Sequence, residues 1–254
     1  MTSEFLDVTE IQGERISREQ LDRMCHRYHW ASESCADRDV LEVACGAGQG
    51  LAILDNCAKS LVAGDYSPQV LANAAKTFPT FDLRVFGAEH LPFDDSSFDT
   101  IILFEAIYYV DHNKFFSEAR RVLRPGGKLL IASANKDLYD FTPSPFAKRY
   151  LGAKELANEL GCQGFSVELS GYLDITKVGL RQRLLRPVKA IASRFGLMPK
   201  TMRGKRILKK LFFGEMAEMP GDLASVPFEY HPPNSIPSLP DMRHKVLYCC
   251  ASKA

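Results

Sequence analysis

The chain has 254 residues, 46% of them hydrophobic and 25% charged, a composition able to bury a large core within one domain. Its 32 basic side chains nearly balance 31 acidic ones, so the formal charge of +1 gives the whole chain no pull toward a polyanion. Seven cysteines without a C-x-x-C pair argue against a disulfide framework and a zinc site, and no run approaches the ~18 apolar residues of a membrane span. The opening "MTSEFLDVTEIQGER" lacks the apolar core of a leader, so a cytoplasmic protein is expected, with peripheral membrane contact still open.

Residues 14–36 read as a helix ahead of the first strand. From about residue 38, short Val-, Ile- and Leu-rich runs alternate with helical patterns. Strands are expected at 39–45, 61–65, 82–86, 99–104 and 127–133. Helices are expected at 49–58, at 67–77 behind the Ser67-Pro68 start signal, and at 114–123 before "RPGG". This alternation means a parallel sheet with helices on both faces. A helix at 153–161 and a strand at 164–172 continue it. Residues 173–244 break the pattern and read as an insertion, the Pro-rich stretch 226–241 being an extended return to a last strand at 245–251.

The glycines of "VLEVACGAGQG" (40–50) follow the first strand directly, where an open parallel sheet binds its ligand. A dinucleotide turn needs G-x-G-x-x-G, whereas Gly46, Gly48 and Gly50 alternate and position 51 is Leu. Glu42, inside the strand, is a poor neighbour for a pyrophosphate and a good one for a ligand carrying a positive group. The turn alone does not decide between a ligand site and a plain turn.

Four blocks in order, "DVLEVACGAGQG", "GDYSPQVLANA" (64–74), "AEHLPFDDSSFDTIIL" (88–103) and "EARRVLRPGGKLLI" (118–131), resemble the class I S-adenosylmethionine-dependent methyltransferases, and most closely the small-molecule subgroup with "LPF" and "RPGG" segments. The resemblance covers about residues 38–132. It implies a doubly wound, Rossmann-like sheet of seven strands with the last antiparallel, a core over 38–172, and a helical cap over the acceptor side, inserted between strands six and seven.

For the cofactor, S-adenosyl-L-methionine, the resemblance implies that Asp65 accepts both ribose hydroxyls, which takes two oxygens on one side chain. Tyr66 packs on the adenine, and Gly46 and Gly48 let the backbone approach where a Cβ would collide. Glu42 orients the ammonium, and Phe104, ending the fourth strand, joins the set. Three departures stand out. Ala44 replaces the first motif glycine, trimming space. Gly87 stands where relatives carry an adenine-binding aspartate, leaving Ala88 and Glu89 to recognise the base. Tyr108 and Tyr109 replace paired histidines, keeping ring area while giving up a group that titrates near neutrality.

Methyl transfer from a sulfonium needs alignment and exclusion of water more than a strong base. Candidates to orient or deprotonate the acceptor are Tyr108, Tyr109, Asp111 and His112, with Glu105 beside the cofactor; the alternative for Asp111 and His112 is a plain helix cap. In "CHRYHWAS" (25–32), His26, Tyr28 and His29 are further candidates for base or orienting residue, and the segment is either a lid over the pocket, with Tyr28 and Trp30 touching cofactor or acceptor, or a helix covering the sheet edge.

Residues 175–214 hold twelve basic side chains and no acidic one, leaving 20 basic against 31 acidic elsewhere. Leu180, Leu184, Leu185, Val188, Ile191 and Phe195 share one helical face. The segment reads as a solvated cap, as a site for an anionic or sugar-like acceptor, or as a surface lying on acidic lipid. Nucleic acid is disfavoured, because no base-reading module is present. The expected function is methylation of a small molecule, at oxygen first and nitrogen second. The alternatives are a non-catalytic cofactor-binding subunit and a methyltransferase for a lipid-like acceptor.

Overall fold

The computed structural model describes residues 12–177 and 215–254. The helical cap expected within 173–244, with its apolar stripe from Leu180 to Phe195, falls on 178–214 and lies outside the described residues.

The chain enters through β1 (Arg15–Ser17) and α1 (Arg18–Cys35). Ser17 caps α1 by accepting the Gln20 N–H at 3.1 Å. Leu21, Met24, Cys25, Tyr28, Ala31 and Cys35 then recur at helical spacing and bury one face on the sheet. The alternation follows: β2 (Asp39–Val43), α2 (Leu51–Asp55), β3 (Ser60–Asp65), α3 (Pro68–Thr77), β4 (Asp82–Val85), β5 (Phe98–Phe104), α4 (His112–Val122) and β6 (Leu123–Ala134). Then come α5 (Ala153–Cys162), β7 (Phe165–Asp174), β8 (Met216–Glu218), β9 (Asn234–Ser235) and β10 (His244–Lys253). Ser67 and Asp111 cap α3 and α4 through the Val70 and Lys114 N–H groups.

Among the described residues the main sheet has eight strands in the order β4-β3-β2-β5-β6-β10-β7-β9. The expected antiparallel last strand is there: β10 runs antiparallel to both β6 and β7, while the pairs among β2 to β6 are parallel. The count differs from seven because β9, two residues of the Pro-rich return, adds an edge to β7. A separate two-stranded piece pairs β1 with β8 and was not expected. It has only three residues on each side, too short for a periodic signal. "RPGG" lies at the start of β6 rather than ahead of it, across a register shift against β5.

Apolar side chains fill both faces. Leu41, Leu103, Ile131 and Cys249 meet α4 and α5 on one side, and Val40, Ile102, Leu130 and Tyr248 meet α1 on the other. The carboxyl ends of β2, β3 and β5 thus come together at one edge of a packed scaffold, where side chains can be held for binding.

Candidate active site

The turn after β2 is built from left-handed residues. Ala44, Gly46 and Gly48 have φ of 58°, 61° and 80°. A Cβ on Gly48 would lie 2.9 Å from Ala74 Cβ and 2.9 Å from Leu51 Cδ1, so this glycine lets α3 and α2 pack close, a task beyond the cofactor approach expected of it. Ala44 does more than trim space: an L side chain in the left-handed region costs roughly 1–2 kcal/mol. Ala44→Gly is therefore expected to raise stability by about 1 kcal/mol, after the extra freedom glycine has when unfolded is subtracted. Urea unfolding checks this, and a loss of stability would refute the strain.

Two carboxylates flank the turn. Asp65, ending β3, accepts the Gly46 N–H at 3.0 Å and the Ser67 N–H at 2.9 Å, tying the turn to the start of α3. Burial raises its carboxyl above the ordinary value, and these backbone bonds oppose the rise. Glu42 is 1% exposed. Its Oε1 accepts the Tyr28 hydroxyl at 2.7 Å, and its Oε2 is buried with no hydrogen-bond partner among the described residues. Burial pushes Glu42 up to about 7, against the Tyr28 bond and the Arg27 charge and with help from nearby Asp65. A buried, half-satisfied carboxylate fits a ligand that brings a cationic N–H group. Cys45, in the same turn, is held well above the ordinary thiol range by burial, in keeping with a filler.

Beyond β3, Tyr66 exposes 58% of its surface. A Cβ on Gly87 would meet its ring only at 3.7 Å, so the missing aspartate leaves open space there. Ala88 is buried. The Glu89 carboxylate is engaged elsewhere: it accepts the Asp111 N–H at 2.8 Å and Lys148 Nζ at 3.0 Å, serving the start of α4. Among the means expected for recognising the base, the backbone at Ala88 and Glu89 is what this geometry leaves available.

At the end of β5, Glu105 adopts φ of 51°, an uncommon conformation for a long side chain. Arg23 from α1 donates to its Oε1 at 2.9 Å, and the Tyr108 hydroxyl donates to Oε2 at 3.3 Å. Tyr108 stacks on Tyr150 at 4.2 Å and meets Tyr109 at 4.6 Å, while the Tyr109 hydroxyl donates to Ser144 Oγ at 3.3 Å. Burial, with the charge of Glu105, lifts the Tyr108 phenol far above its ordinary value, so it stays protonated.

The structure links Tyr28, Glu42, Gly46 and Asp65 around the turn, and Glu105, Tyr108 and Tyr109 after β5. Other expected residues lie apart. His112 is buried, with Nδ1 3.2 Å from Glu159 Oε2 of α5, and Asp111 is the α4 cap. His29 stacks on Phe228 at 5.6 Å, and burial lowers its pKa. Phe104 packs between Tyr28 and Trp30, at 5.4 and 6.1 Å. Trp30 lies on Tyr248 at 4.7 Å, so these rings face the sheet as a cover. Tyr150 and Arg23 escaped the sequence reading: Tyr150 lies in an irregular loop, and Arg23 is separated from Glu105 by 82 positions. Arg23 and Tyr28 on one amphipathic helix were the only available signal.

Comparison with known proteins bears on the domain and the fold. Residues 41–131 match the family model described as a methyltransferase domain. A probable S-adenosylmethionine-dependent methyltransferase of Mycolicibacterium smegmatis is 36% identical over 146 residues, 56% of this chain and 57% of that protein. A phthiotriol/phenolphthiotriol dimycocerosates methyltransferase of Mycobacterium ulcerans is 35% identical over 133 residues, covering 49% and 47%. The match thus spans about half the length of these relatives. Among solved structures, a possible histamine N-methyltransferase from Thermotoga maritima has a TM-score of 0.57 at 16% identity, covering 92% of each chain. A methyltransferase from Archaeoglobus fulgidus also scores 0.57 at 16% identity, covering 93% and 95%, and at such identity these two speak for the fold alone. The sheet order and these matches together support a class I S-adenosylmethionine-dependent methyltransferase, with the methyltransferase-domain match confined to residues 41–131.

Proposed function

We propose that this protein transfers a methyl group from S-adenosylmethionine to a small molecule, with a hydroxyl oxygen as first choice of acceptor and nitrogen as second. The observation that carries the reading is the pair of carboxylates at the ends of neighbouring parallel strands, with Gly46 hydrogen-bonded to Asp65 and Glu42 Oε2 buried without a partner among the described residues. When bound, the cofactor supplies a methyl group already activated on a cationic sulfur.

The residues then have distinct tasks. Glu42 Oε2 receives the amino group, and the Asp65 carboxylate, already accepting from the Gly46, Tyr66 and Ser67 backbone, turns its remaining acceptor capacity to the ribose hydroxyls. Tyr66 offers its exposed ring to the adenine, and the backbone at Ala88 and Glu89 offers polar groups to the base edge. Tyr108 holds its proton and acts as a donor that orients the acceptor, not as the base. Alignment and water exclusion carry the rate.

A lipid-like or quinone-like acceptor is the second reading. Tyr139 and Phe146 expose 60% and 44% of their surfaces in the loop that also carries Tyr150. Two kinds of relative are named for apolar molecules, dimycocerosates and demethylmenaquinone. Liposome sedimentation separates the readings: binding to acidic vesicles that salt abolishes supports a membrane-borne acceptor, and no binding at any salt supports a soluble one. Calorimetric titration with S-adenosylmethionine and S-adenosylhomocysteine tests the shared step, and binding of neither would refute both.

A further inference from the structure

Glu42 divides its carboxylate between two tasks. Oε1 accepts the Tyr28 hydroxyl at 2.7 Å, and Oε2 is buried without a hydrogen-bond partner among the described residues. Tyr28 is 4% exposed. Its ring occupies the space above Gly50, where a Cβ would come within 2.1 Å of it, and the Phe104 ring meets it edge-on at 5.4 Å. A ring so enclosed has no face left for a nucleoside, which replaces the direct cofactor contact expected from the sequence. The position of the Glu42 carboxylate, on the sheet, is thereby fixed from helix α1.

We infer that Tyr28 is a positioning residue, whose hydroxyl turns Glu42 so that Oε2 remains the oxygen receiving the cofactor's amino group, and favours the ionised carboxylate there. This rests on the reading that S-adenosylmethionine is the ligand. A phenol donating to a carboxylate stabilises its charged form and leaves its neutral form without that benefit. The groups facing Glu42 are Tyr28 and Arg27 from α1, Cys35 at the end of that helix, Cys45 in the turn and Asp65 from β3. Burial raises both thiols, so they stay neutral near pH 7. The charge on Glu42 is therefore decided by burial and the Asp65 charge against the Tyr28 hydroxyl and the Arg27 guanidinium. With Glu42 poised at about 7, cofactor affinity rises as pH climbs through neutrality, and removing the hydroxyl moves that rise to higher pH.

The test is calorimetric titration of the full chain with S-adenosylmethionine, from about pH 5.5 to 9, on the wild type, Tyr28→Phe and Glu42→Gln. Tyr28→Phe keeps the ring over Gly50 and removes only the hydroxyl. It is expected to bind about tenfold more weakly at pH 7, with the midpoint of the pH dependence displaced upward and the gap narrowing toward pH 9. Glu42→Gln is expected to bind weakly with no rise across the same range, which reports on the carboxylate even where Tyr28→Phe fails to fold. Wild-type binding with an unchanged midpoint and affinity in folded Tyr28→Phe overturns the positioning role alone, as does a wild-type pH rise retained in Glu42→Gln. Absence of wild-type binding at every pH overturns the cofactor reading, and this inference with it.

Discussion

Asp65→Ala is expected to bind S-adenosylmethionine at least about 100-fold more weakly than the wild type. A carboxylate offers about four lone-pair directions. Gly46 N–H at 3.0 Å and Ser67 N–H at 2.9 Å take two of them, and the Tyr66 backbone N–H also donates to the carboxylate. In the proposed binding mode the substitution removes the carboxylate's bonding to the ribose hydroxyls, each bond worth roughly 1.5–3 kcal/mol when the acceptor is charged, and each 1.4 kcal/mol is about a tenfold change in affinity. It also strands the Gly46, Tyr66 and Ser67 backbone donors at the proposed site. Asp65→Asn retains one oxygen and should fall between, about tenfold weaker than wild type. Calorimetry reads both, and an Asp65→Ala affinity within about threefold of wild type would refute the ribose role.

The second large effect is on stability and comes from Glu42. Its folded pKa is raised from 4.5 to about 7, first by burial. Between these values the folded chain keeps a proton that the unfolded chain has released, so raising the pH favours unfolding. The stability contributed by neutral Glu42 is fully present below about pH 4.5 and is lost as pH rises through about 7, a total near 3 kcal/mol. Glu42→Gln cannot ionise, so the change in unfolding free energy between pH 5 and pH 8 should be more favourable than in the wild type by most of that amount. Other titrating groups, such as His26, which burial lowers to about 4, act in both proteins and cancel in the comparison. Urea unfolding at the two pH values measures the difference, and equal pH dependence in the two proteins would mean that Glu42 is not poised near neutrality.

The turn and carboxylates of the proposed donor site were legible in the sequence because they are local. A buried strand, a glycine turn and an acid at the next strand end lie within 26 residues, from Val40 to Asp65, and parallel topology brings them together. Less could be read where distance or backbone conformation decides. Nothing in the letter at 44 says that an alanine takes φ of 58°, and nothing around Glu89 says that its carboxylate serves Asp111 and Lys148. Glu105 was named as a candidate, yet its partner Arg23 lies on a helix before the first strand of the alternation, and a pairing across 82 positions leaves no periodic trace. The paired tyrosines were recognised as a departure. Their stacking on Tyr150 depends on a loop without regular structure, where pattern reasoning has no purchase.

His112 illustrates the opposite case. Its type and its place after β5 suit proton chemistry, but packing gives its Nδ1 to Glu159 between α4 and α5. The surroundings of Tyr108 thus offer aromatic surface and fixed donors, which suits the modest demand that the proposed methyl transfer makes on acid–base catalysis.

On the proposed function, the carboxyl ends of β2 and β3 seat S-adenosylmethionine. A crystal structure of the full chain with S-adenosylhomocysteine tests it most directly. The predicted result is density at the turn, with the ribose hydroxyls on Asp65 and the amino group on Glu42 Oε2. Clear density for the ligand at another place on the molecule, with Asp65 and Glu42 uncontacted, would contradict it.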